Sequence, residues 1–297
     1  MPALSKYHIG CPVWTCREWN GTVFEHGTES RDSLRKYAKI FNTVEANSLF
    51  YAIPPLGNIE RWMAETESDF KFCPKFPKSV SHERRLVDAG EETARFLKVL
   101  EILEDGKRLG PSFLQLPPSF NRNRFETLER FLESLPASFS YAVEPRHVSW
   151  FDKAENEQRL DDLLQRLGID KVIFDSRPLF SDEAADEDEA AAQSRKPQTP
   201  VRKVALGQNP FLRLVGKNDI PANEPWIKEW APIINKWILE GKKPFVFTHC
   251  PNEAHAPYFA RALHGQIKKL NPLMAPFPPF ASDASEKAVK QEQLDLF

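Results

Sequence analysis

Residues 41–51 read FNTVEANSLFY and residues 70–76 read FKFCPKF. Each is a short apolar run closing on polar side chains, Glu45 and Asn47 in the first and Lys75 in the second. Six more stretches follow the same plan: HIGCPVW (8–14), PSFLQLP (111–117), SYAVEPR (140–146), KVIFDSR (171–177), FLRLVG (211–216) and PFVFTHC (244–250). Successive runs begin about 29 to 41 residues apart, the length of one strand-plus-helix unit. Helical spacing fills the gaps: Phe96, Leu97, Leu100 and Leu103; Leu128, Phe131, Leu132 and Leu135; Leu160, Leu163, Leu164 and Leu167 each share one face of a 3.6-residue period. Eight strands alternating with helices suit an open doubly wound sheet or a ring. The even unit size, with no G-x-G-x-x-G turn after the first run, favours a closed TIM-type (β/α)8 barrel, class α/β, as a single domain.

The expected barrel occupies residues 1–270. Residues 181–200, SDEAADEDEAAAQSRKPQTP, carry no large apolar side chain and read as a solvated, mobile acidic loop inserted between the sixth and seventh strands. Residues 271–297 open with NPLMAPFPPF and read as an extended C-terminal tail, first a strap over the barrel and then a polar end. The formal charge of -2 excludes a general nucleic-acid-coating role and leaves only local patches for such contacts. No run approaches a membrane span and no signal-peptide core opens the chain, so a cytoplasmic protein without membrane partners is expected. The four cysteines, Cys11, Cys16, Cys73 and Cys250, form no C-x-x-C pair and are expected as reduced thiols.

Alternation along each strand assigns the inward side chains. With Lys75 inward, Cys73 follows, while Phe72 and Phe76 face the helices. The same reading turns Glu45, Asn47, Gln115, Glu144, Arg146, Asp175, Arg213 and His249 toward the axis at the carboxyl ends, where this fold carries its chemistry. Three carboxylates would face three cations. Two arginines and a lysine suit an anion held by charge-assisted hydrogen bonds better than a metal cluster, although one divalent ion on Glu144, Asp175 and His249 is the alternative. Catalytic candidates are Glu45 or Glu144 as general base, with Asp175 and His147; Arg146 and Lys75 would stabilise developing negative charge. Trp14 and Tyr51, on loops after the first and second strands, are candidates for stacking on a ligand. For each residue a structural ion pair or a core lid is the competing explanation.

GCPVWTCREWNGTVF, FNTVEANSLFY, FKFCPKFPKSVSH, LGPSFLQLPPSF and YAVEPRHVSWF together resemble the YecE-like family, domain of unknown function 72, over about residues 8 to 270. The resemblance implies a TIM-type barrel and no particular reaction. Glu45, Asn47, Gln115, Glu144, Arg146, His147 and Asp175 match its pattern. Where the family commonly shows an asparagine pair after the last strand, this chain has Thr248, His249 and Cys250, so a role carried by those amides does not transfer.

Gln293, Leu294, Asp295, Leu296 and Phe297 form QLDLF, similar to the short peptides that dock on the bacterial β sliding clamp. Leu296 and Phe297 would fill an apolar pocket and Gln293 would bond at its rim. Two functions from different classes emerge. One is an enzyme, hydrolase- or lyase-like, acting on an anionic substrate such as a nucleotide or phosphodiester, brought to DNA by the clamp. The other is a clamp-tethered protein that binds a small anionic ligand or nucleic acid without turning it over.

Overall fold

A computed structural model describes residues 7–283. The acidic and polar end of the chain, including QLDLF, lies outside the described residues. Each of the eight apolar runs falls on a strand: β1 His8–Gly10, β2 Thr43–Ala46, β3 Lys71–Pro74, β4 Ser112–Gln115, β5 Tyr141–Glu144, β6 Asp170–Asp175, β7 Phe211–Val215 and β8 Phe245–His249. All recorded pairings are parallel. The helices between them are α1 Ser33–Tyr37, α2 Ser48–Tyr51, α3 Leu56–Ala64, α4 Gly90–Asp105, α5 Phe125–Glu133, α6 Glu155–Arg166, α7 Glu187–Arg195, α8 Glu224–Leu239 and α9 Ala256–Leu270. They bury the stripes expected of them, such as Phe96, Leu100 and Leu103 in α4 and Leu160, Leu163 and Leu164 in α6, and each large apolar side chain so placed contributes about 1.5–3 kcal/mol.

The expected closed eight-stranded barrel is not what forms. Backbone hydrogen bonds join β1-β8-β7-β6-β5-β4 into one open, six-stranded half-barrel sheet, while β2 and β3 pair separately. The physical reason lies at the two seams. Between β3 and β4, Phe72 N–H donates to Arg108 and Phe76 N–H to Phe113. The donor between them would be residue 74, a proline without an N–H. Between β1 and β2, side chains take the amides that a ladder would use: Ile9 N–H donates to Asn42 Oδ1 at 2.8 Å and Cys11 N–H to Tyr37 Oη at 2.7 Å. Tyr37 Oη in turn donates to the Thr43 carbonyl at 2.9 Å. Gly10 allows this close approach, because a Cβ there would lie 2.0 Å from the Thr43 carbonyl oxygen.

Residues 181–200 are mostly exposed, as expected, but are not simply a loop. They contain α7, which Asp186 caps by accepting from Glu189 N–H at 2.7 Å. Acidic residues in its first turn suit the positive helix end, and the alanines that follow favour helix. Glu189 is buried and accepts from Ala185 N–H and Asn218 N–H. Asp182–Lys217, Asn218–Asp186 and Asn252–Asp188 contacts tie the segment to the loops after β7 and β8. Past α9, Met274 and Phe280 are buried, and Arg261 pairs with Asp283. Among the described residues no helix is long and apolar enough to cross a membrane.

Candidate functional site

An apolar layer fills the space between the strands: Cys73, Phe113, Ala142, Val172, Phe211, Phe245 and Phe247 pack as one buried cluster. Two residues further along the same strands, or just past their ends, stand Lys75, Gln115, Glu144, Phe174, Arg213 and His249. A charged layer thus sits on a greasy floor at the carboxyl ends, where burying ions is costly unless they are paired and hydrogen-bonded.

Arg213 on β7 is the hub. Its Nε and one terminal nitrogen grip Glu45 at 2.7 and 2.8 Å, and the other terminal nitrogen reaches Glu144 at 2.6 Å. Glu45 also accepts from Asn47 Nδ2 at 2.8 Å and contacts His249 Nε2 at 3.1 Å. Glu144 accepts from Gln115 Nε2 at 2.9 Å and from Arg146 Nε at 2.5 Å. Both carboxylates are fully buried. Burial alone would raise their pKa values, but for Glu45 the Arg213 guanidinium and then His249 outweigh it and hold the group well below the usual range. For Glu144 the charges of Arg146, Arg213 and Lys75 overcome burial and bring it down to about 2. Burial, only partly opposed by Glu45, brings His249 down to about 4, so it is neutral at pH 7 and its contact with Glu45 is a hydrogen bond rather than an ion pair.

Lys75 stands apart from this paired network. It is 8% exposed, with Nζ 4.1 Å from the centre of the Phe50 ring, and among the described residues no carboxylate lies within ion-pair distance of it. Burial, then Arg213, bring its amine down to about 7, against the opposing pull of Glu144. Arg146 spends Nε on Glu144 and lies over Phe174, 5.1 Å from the ring centre; among the described residues its two terminal nitrogens have no acceptor.

Asp175 was expected in this cluster and is not there. Phe174, not Asp175, is level with Arg213. Asp175 points the other way, accepting from Trp230 Nε1 of α8 at 2.8 Å and pairing with Arg177 at 2.7 Å. The proposed metal set of Glu144, Asp175 and His249 therefore does not converge, and among the described residues no group of three or more His, Cys, Asp or Glu could hold a metal ion. Trp14 also lies elsewhere, edge-on to Trp62 and to the helix-facing Phe72. His147 caps the turn Val148–Trp150 by accepting from Ser149 N–H at 3.0 Å. Tyr51 is 81% exposed and lines a cleft of about 630 Å³ with Ile53, Pro55, Lys78 and Arg95. Phe50 also lines that cleft and stands between it and Lys75.

A family model described as protein of unknown function DUF72 matches residues 8–281. The chain belongs to the DUF72 family. It is 34% identical to UPF0759 protein YecE of Escherichia coli K12 over 278 residues, 94% of this chain and 98% of that one. UPF0759 protein YunF of Bacillus subtilis is 29% identical over 158 residues, covering 52% of this chain and 55% of that protein. The crystal structure of a DUF72 family protein from Thermotoga maritima covers 89% of this chain and 98% of its own, with TM-score 0.66 and 24% identity. Another from Enterococcus faecalis covers 83% and 96%, with TM-score 0.61 and 20% identity. These likenesses show a shared fold.

In this DUF72 chain two site residues escaped the sequence reading, Lys196 and Glu253. Lys196 follows α7 at its C-terminal end and feels Arg213, Glu253, Arg146 and Glu45; burial, then Arg213, lower its pKa. Glu253, beyond β8, has one enclosed carboxylate oxygen without a hydrogen-bond partner among the described residues. Burial pushes it up to about 8 against the opposing charge of Lys196. Both sit in loops, where strand alternation gives no signal. With Asp175 out and Lys196 in, the cluster sets Arg146, Lys196 and Arg213, joined by Lys75 when it is protonated below about pH 7, against the two ionised carboxylates Glu45 and Glu144.

Proposed function

We propose that the charged layer binds a small anionic substrate and acts on it as an enzyme. One observation carries this: Arg146, Lys196, Arg213 and, below about pH 7, Lys75 stand around two carboxylates that already accept from Arg213, Arg146, Gln115 and Asn47, and Lys75, Arg146 and Lys196 retain donors with no acceptor among the described residues. An anionic group between them would supply the missing charge and accept those donors. Glu45 and Glu144 serve as positioning groups, since carboxylates held so far below the usual range and so fully bonded are poor proton acceptors. Lys75, poised near neutrality, is the better acid–base candidate. A phosphate ester or carboxylate fits the site, and a nucleotide would have its base beside the exposed ring of Tyr51.

Sulfate, whose charge is constant near neutrality, tests the reading by calorimetric titration. Lys75 with a pKa of about 7 is cationic below that pH, and Glu253 with a pKa of about 8 is neutral below it. Both changes favour anions as pH falls, so affinity is expected to weaken roughly tenfold between pH 6 and 9, and R146Q to weaken it by about as much at pH 6. Sulfate affinity that ignores both pH and R146Q would remove the reading.

The peptide Gln293–Phe297 supports a second proposal, recruitment by the β sliding clamp. Deleting residues 293–297 is expected to abolish binding to immobilised clamp while leaving the unfolding temperature unchanged. Clamp affinity that survives the deletion rules the docking peptide out.

A further inference from the structure

We infer that Lys75 is a covalent nucleophile, and that the substrate is a small aldehyde or ketone bearing a carboxylate or phosphate. The inference rests on the anion-binding reading and adds the reacting bond to it. Lys75 sits at the end of β3, above the apolar floor of Cys73 and Phe113 and beneath the Phe50 ring. A lysine kept there only to neutralise a carboxylate would be found in an ion pair. Glu144, the carboxylate whose charge acts on Lys75 most strongly, is instead occupied by Arg146, Arg213 and Gln115. What remains is an amine with no hydrogen-bond acceptor among the described residues, beside cations that would hold an anionic neighbour. Amines activated by desolvation and neighbouring positive charge are the ones that form Schiff bases.

The step balances without a co-reactant. The Nζ lone pair attacks the carbonyl carbon and the C=O π bond breaks onto oxygen. One amine proton passes to that oxygen to give the carbinolamine; the second follows as the nitrogen lone pair forms the C=N bond and the C–O bond breaks, so that oxygen leaves as water. The substrate's anionic group would rest against Arg146 and Lys196, which keeps the carbonyl end for Lys75.

The probes are glyoxylate for a carboxylate and glycolaldehyde phosphate for a phosphate, each with cyanoborohydride to reduce the imine, on the full chain at pH 7. Peptide mass mapping is expected to place one reduced adduct on Lys75, formed roughly 100-fold faster than on surface lysines because far more of its amine is neutral at that pH. Sulfate should protect it, and the probe that labels faster identifies the anion. K75R, folded by circular dichroism, should lose that adduct alone. Labelling of surface lysines with Lys75 untouched would overturn the inference, while sulfate titration would still judge anion binding separately. An adduct on Lys75 that sulfate does not protect would keep the nucleophile and discard the anion site.

Discussion

Replacing Arg213 with Met is expected to cost roughly 3–5 kcal/mol of stability at pH 7, the range for stripping the partner from buried charges. Arg213 is the shared donor of Glu45 and Glu144, both fully buried, so its loss leaves two carboxylates facing a greasy floor. At about 2–4 °C per kcal/mol for large single domains, the melting temperature should fall by roughly 6–20 °C. The pH dependence separates this cause from a packing defect. Carboxylates whose folded pKa is depressed contribute stability above their unfolded value of about 4.3, and that contribution is lost as pH falls toward the value of about 2 held by Glu144. In the variant the carboxylates protonate more easily, so the gap between the two proteins should narrow steadily below pH 4. Calorimetric scans from pH 3 to 8 measure it; a gap that is absent at pH 7, or constant into acid, contradicts the hub assignment.

Glu144→Gln should act on Lys75 as much as on stability. The amide places a donor where the carboxylate accepted from Arg146, Arg213 and Gln115, costing roughly 2–4 kcal/mol. The Glu144 charge also favours protonated Lys75. Without it the amine should lose its proton at lower pH, and the pH at which sulfate affinity falls should move downward from about 7. Titrations of the wild type and variant over pH 5 to 9 read the displacement directly. An unmoved midpoint would mean that Glu144 does not support the Lys75 charge, and turnover unaffected by the change would remove Glu144 from the mechanism.

The positions of all eight strands were legible in the chain because each is a local pattern, an apolar run ending in polar residues. Pairs two apart on one strand were also legible: Glu45 with Asn47, and Glu144 with Arg146, do enter the site together. Strand β6 was misread by one residue. KVIFDSR is buried on both faces, so alternation cannot say whether Phe174 or Asp175 turns inward. The answer lay in Trp230 of α8, which offers Asp175 a hydrogen bond on the outer side. Asp175 takes that partner, and Phe174 is left to stack beneath Arg146.

By itself the amino-acid sequence determined the strand–helix alternation, the family and the set of charged residues carried to the strand ends, since these follow from short-range periodicity and motif. The tertiary structure alone decided that the sheet stays open at its two seams, where Pro74 lacks a donor and Tyr37 and Asn42 intercept the backbone amides. It also decided that Lys196 and Glu253 reach the site from loops. Hydrogen-bond partners and loop reach depend on residues distant in the chain, and no local pattern encodes them.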